Sequence, residues 1–145
     1  MNKKLQNIFL ISLITGGITG LISIIPFVAK FSVIILFTLI SVPLLYFFKK
    51  FNLVEKLNEK ESLKLGALIG VFSTLGFGVT FYPLVYVLSL FFSMTYLGGF
   101  SLMARLMNFS LALLFIIFVC VISSVLNAFS ALMYYYVDES IKNIK

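Results

Sequence analysis

The chain has 145 residues, is 61% hydrophobic and has a mean hydropathy of +1.14. A water-soluble domain of that composition would expose far too much apolar surface, so one all-α, polytopic membrane domain spanning 1–145 is expected. The net charge is +6, but the lysines form no basic face interleaved with aromatics. Membrane lipids, anionic headgroups included, are therefore the expected partners, and nucleic acid is not.

Charge is absent over four long stretches: between Lys4 and Lys30, Lys30 and Lys49, Lys64 and Arg105, and Arg105 and Asp138. Hydrocarbon cannot solvate a charge, so each stretch reads as a membrane span. The result is a four-transmembrane-helix bundle, arranged as two helical hairpins.

The first span is expected at about 8–29. Its apolar run is too long for the core of a signal peptide, and Phe27 and Ala29 make a poor cleavage site, so it reads as an uncleaved span. Pro26 and Lys30 mark a tight turn into the second span, at about 31–48. The connector, 49–64, carries five lysines and three glutamates. Phe51, Val54 and Leu57 recur there at helical spacing, which gives part of it an amphipathic character. Asn58, three residues before Glu61, is placed to cap the next helix.

The third run holds 40 uncharged residues from Leu65 to Ala104, too many for one ordinary span. Its helix is placed at about 65–92, with a kink at Pro83, which cannot donate to the carbonyl of Val79. Ser93 to Arg105 then forms an apolar external segment. The fourth span is expected at about 107–136 and ends in an aromatic belt, Tyr134, Tyr135 and Tyr136.

With a cytoplasmic N-terminus, the inside segments carry Lys3, Lys4, Lys49, Lys50, Lys56, Lys60, Lys64, Lys142 and Lys145, and the outside only Lys30 and Arg105. That bias places both termini in the cytoplasm, and a bacterial cytoplasmic (inner) membrane is the expected location.

Two segments match at an offset of 50: Gly16, Gly20 and Ser23 against Gly66, Gly70 and Ser73, each reading G-x-x-x-G-x-x-S. Small residues four apart let helix backbones approach closely, and serine can bond across the contact. These six are the candidate helix-packing residues. Duplication and common helix-packing composition account for the match about equally well. The layout, small-residue-rich first and third spans around a lysine-rich connector, resembles short bacterial four-helix integral membrane proteins of uncharacterised function. That resemblance implies a helical bundle and no activity.

Cys120, Ser123, Asn127, Ser130 and Tyr134 form one polar stripe on the fourth helix. Ser73, Ser123, Asn127 and Ser130 are the candidate polar network, with Ser73 and Asn127 at similar depth. Small multidrug transporters have a similar size but rely on a glutamate within the first span, and this span has none. Small fluoride channels share an early Gly-Gly, as at Gly16 and Gly17, but no arginine follows it here. Met94, Met103 and Met107 are more consistent with packing than with a copper site.

No catalytic, cofactor or metal residues can be assembled. Histidine is absent, Cys120 is the single cysteine, and the carboxylates lie in the connector and the C-terminal tail. The expected function is therefore non-enzymatic and needs no cofactor: helix packing as a homo-oligomer or as a small subunit of a membrane complex. A small transporter or channel for a neutral or weakly polar solute is the alternative.

Overall fold

A computed structural model describes residues 3–54, 57–91 and 109–144. All regular structure among them is α-helical, in five helices: α1 (Lys3–Ile22), α2 (Pro26–Thr38), α3 (Ser41–Lys50), α4 (Glu59–Phe91) and α5 (Phe109–Ile144). Helices α1, α4 and α5 are each long and apolar enough to cross a membrane. Helices α2 and α3 qualify only as a pair, bent by 64° at Leu39 and Ile40. Among the described residues, three helices are thus long and apolar enough to cross a membrane, or four if the bent pair is one span.

Helix α4 is the axis of the packing. It contacts α1 along one side and α5 along another, while the shorter α2 and α3 rest against both α4 and α5. The first helix therefore pairs mainly with α4, not with its sequence neighbour α2.

Glycine explains how closely these helices run. A Cβ on Gly16 would stand 1.8 Å from the carbonyl oxygen of Ser73, and one on Gly76 would stand 2.1 Å from that of Leu13. Only hydrogen at these positions lets α1 and α4 meet backbone to backbone. On the α5 side, a Cβ on Gly66 would lie 2.4 Å from the Asn127 oxygen, and one on Gly70 would lie 2.5 Å from that of Ser123. An apolar cluster that includes Ile8, Leu36, Leu45, Phe48 and Ile69 fills the space among the elements. Large side chains such as Phe27, Val79 and Phe118 point outward instead, as suits a lipid-facing surface.

The helix limits depart from the expected ones in informative ways. Helix α1 ends at Ile22, and the turn over Ser23 to Ile25 comes earlier than expected. Pro26 does not stop a helix. It occupies the first turn of α2, where a missing N–H costs nothing. Lys30 consequently lies inside α2. Helices α3 and α4 both extend into the connector. Asn52 ends α3 in the left-handed region, φ 53°, and Leu53 N–H reaches back to Phe48 O at 2.9 Å. Asn58 accepts from Glu61 N–H at 2.8 Å and so caps α4.

Helix α4 continues through Pro83 as one element, and the broken element is the second run, just before Pro43. The segment Ser93 to Arg105, with Met94 and Met103, lies outside the described residues, as do Met107 and Asn108.

Candidate functional site: an asparagine joint in a broken helix

The break between α2 and α3 frees backbone groups that lipid cannot satisfy. Pro43 accounts for its position. Proline has no N–H for the carbonyl four residues back, here Leu39, and its ring crowds that carbonyl. The chain turns at Leu39 and Ile40.

Each of the last four carbonyls of α2 has a partner. Ile35 O accepts from Leu39 N–H at 2.9 Å. Leu36 O and Phe37 O accept from Asn127 Nδ2 at 3.2 and 3.0 Å. Thr38 O accepts from the Ser130 hydroxyl. On the α3 side, Ser41 N–H donates to Asn127 Oδ1 at 3.0 Å, and Val42 N–H donates to Leu39 O at 3.0 Å. Leu44 N–H donates to Ile40 O at 3.3 Å.

One consequence of this geometry is specific. In a continuous helix, Ser41 N–H would bond directly to Phe37 O. Here the carboxamide of Asn127 stands between them, accepting from Ser41 and donating to Phe37. The side chain acts as an extra peptide unit spliced into the ladder. A side chain inserted in this way is a known cause of sharp helix bends.

The surroundings hold Asn127 in place. Its amide N–H groups are shared with Ser123 O at 3.0 Å and Ser123 Oγ at 3.2 Å. Its own backbone oxygen accepts from Ser41 Oγ at 2.9 Å. Asn127, Ser41 and Ser123 are fully buried. Gly66 and Gly70 bring α4 onto this stretch of α5, against Asn127 O and Ser123 O.

Ser73 lies close by but not opposite Asn127. Its hydroxyl donates mainly to Ile69 O at 2.6 Å on its own helix. The link runs through Gly70 O, which lies 3.3 Å from both Ser73 Oγ and Ser123 Oγ. Ser23 belongs elsewhere. It closes the α1–α2 turn, 2.7 Å from Ser32 Oγ and 2.7 Å from Thr19 O. Gly16 and Gly20 face α4, at Ser73 and Thr80. The two G-x-x-x-G-x-x-S segments therefore contact different partners: the first meets α4, and the second meets α5.

Sequence reasoning missed two contributors. Thr80 Oγ1 reaches across to Gly17 O at 3.1 Å. Ser41 holds the joint from the α3 side. The readable signal for Ser41 was Thr38, Ser41 and Pro43 close together in an otherwise apolar run.

A second polar assembly lies where α3 ends. Asp138 of α5 pairs with Lys49 and, at 2.7 Å, with Lys142. Beside it, Tyr46, Lys49, Lys50, Tyr134, Val137, Asp138 and Ile141 line a groove of about 460 Å³. Tyr136 donates to Glu59 at 3.0 Å, tying α5 to the start of α4. No protein-family model, curated protein or solved structure matches this chain.

Proposed function

We propose that this chain is a non-enzymatic, four-span integral membrane protein that acts through helix packing. In this reading it works as a homo-oligomer or as a small subunit of a membrane complex. It sits in a bacterial cytoplasmic membrane with both termini inside, an orientation supported by the lysine bias across the runs.

One observation carries the reading. The Asn127 joint is saturated by the chain itself, since Asn127 spends its donors and its acceptor on backbone groups of α2, α3 and α5. A joint built this way fixes shape, and its carboxamide has no group left for a solute. The outward apolar surface then remains to meet lipid or another protein. The glycine faces that suggested assembly are consumed within the chain, so the contact with a partner must use larger side chains.

The 64° break favours transport as a second reading, because transporters aim interrupted helix ends at their substrates. In that case a solute would have to displace the Asn127 carboxamide.

Purification of the tagged native protein in several mild detergents, with identification of co-purifying chains, tests the packing reading. A stable oligomer or a reproducible membrane partner is expected. Recovery of a bare monomer throughout would refute it. Flux of small neutral solutes into proteoliposomes, abolished by Asn127→Leu, would establish the second reading in its place.

A further inference from the structure

We propose that the groove between the end of α3 and α5 is a binding site for the phosphate of an anionic membrane lipid. This rests on the membrane reading above, but not on any oligomer or partner.

The groove combines the features such a headgroup needs. Lys49 and Lys50 occupy the last turn of α3, where a helix end already gathers cations. Both line the groove, together with Tyr46 and Tyr134, whose hydroxyls can donate to phosphate oxygens. Val137 and Ile141 supply an apolar wall on α5, suited to the first carbons of an acyl chain. The volume, about 460 Å³, accommodates a glycerophosphate headgroup.

Charge decides the sign. Among the described residues, Asp138 is the one carboxylate lining the groove, and two lysines, Lys49 and Lys142, already bind it. Lys49 and Lys50 against Asp138 leave the described lining net positive, Lys142 pairs with Asp138 from outside that lining, and Lys50 is not engaged by Asp138. A phosphodiester monoanion meets that excess, and a zwitterionic headgroup meets it less well. The flanking Tyr134, Tyr135 and Tyr136 mark a depth where amphipathic rings meet headgroups.

The test is native mass spectrometry of the full chain released from bilayer nanodiscs with equal phosphatidylglycerol and phosphatidylcholine. Failure to enter nanodiscs would count against the membrane reading itself. Once the chain is incorporated, the lipid that stays bound reports on the groove. Retention of phosphatidylglycerol over phosphatidylcholine is expected. Lys50→Gln should lower that retention about fivefold, the equivalent of about 1 kcal/mol per surface lysine.

Asp138→Asn should raise retention by a similar factor, because it removes the competing anion. These opposite signs separate ligand binding from damage to the fold. Equal retention of the two lipids, or no change in either variant, would overturn the proposal. Displacement of the lipid by millimolar inorganic phosphate alone would also overturn it, in favour of a soluble anion.

Discussion

Replacing Asn127 with leucine removes the spliced amide while keeping a similar volume. Three backbone groups then lose their partner: Leu36 O, Phe37 O and Ser41 N–H. In water-soluble proteins each buried orphan costs about 1–3 kcal/mol. Interhelical hydrogen bonds in membranes average about 0.6 kcal/mol and reach about 1.7. Three such bonds give a loss of about 2–5 kcal/mol. The lower end is expected, because the variant has an escape: α2 and α3 can straighten and restore the Ser41–Phe37 bond.

That escape can be measured. Along the helix axis, Phe31 and Phe47 would lie about 24 Å apart in a straight helix at ~1.5 Å per residue. With the 64° bend the axis distance falls to about 20 Å. Pulsed electron paramagnetic resonance between spin labels at these two exposed positions, in a Cys120→Ser background, reads the difference. Reversible unfolding in mixed micelles reads the stability. Asp in place of Asn127 keeps the shape but has no N–H for the two carbonyls, so it should cost at least as much as leucine. If both variants stay within ~0.5 kcal/mol of the parent and keep the bend, Asn127 does not hold the joint.

Other outcomes follow from the same packing. Pro43→Ala alone should leave the bend in place, because Asn127 still occupies the ladder, whereas Pro43→Ala with Asn127→Leu should straighten it in the same resonance measurement. Gly16→Ala puts a methyl 1.8 Å from a backbone oxygen and should destabilise by about 1–3 kcal/mol or more, while Gly17→Ala, 3.3 Å from the Thr80 methyl, should cost far less in the same unfolding assay. The Thr74 hydroxyl is buried without a hydrogen-bond partner, so Thr74→Val should raise stability by about 1 kcal/mol. Cys120 is buried, with its thiol 3.9 Å from Val71 O, so maleimide should modify it slowly in the folded protein and rapidly once detergent unfolds the bundle.

The sequence revealed the helices and the polar stripe for physical reasons. Charge-free runs need a lipid environment, and residues 120, 123, 127 and 130 share one helical face. Their acceptors were hidden because they are main-chain atoms, of α2 for Asn127 and Ser130 and of α4 for Cys120 and Ser123, which no side-chain pattern records. The break was hidden for a related reason. Pro43 and Pro83 look equivalent as letters, and both remove one ladder bond. Pro83 lies on an exposed face of a helix that continues through it, whereas Pro43 follows a turn where α5 inserts an amide between Ser41 and Phe37. Whether a proline bends or breaks a helix depends on what its neighbour offers.

The joint also imposes an order on biosynthesis. Ser41 and Asn127 are 86 positions apart, so α2 and α3 leave the ribosome long before their clamp does. At about 5–20 residues per second, the interval is about 4–17 s. Throughout it the freed carbonyls have no Asn127, and in hydrocarbon they must pair within their own segment. If the bent pair is one span, it is expected to enter the bilayer as a straighter helix and to take its bent form only when α5 arrives.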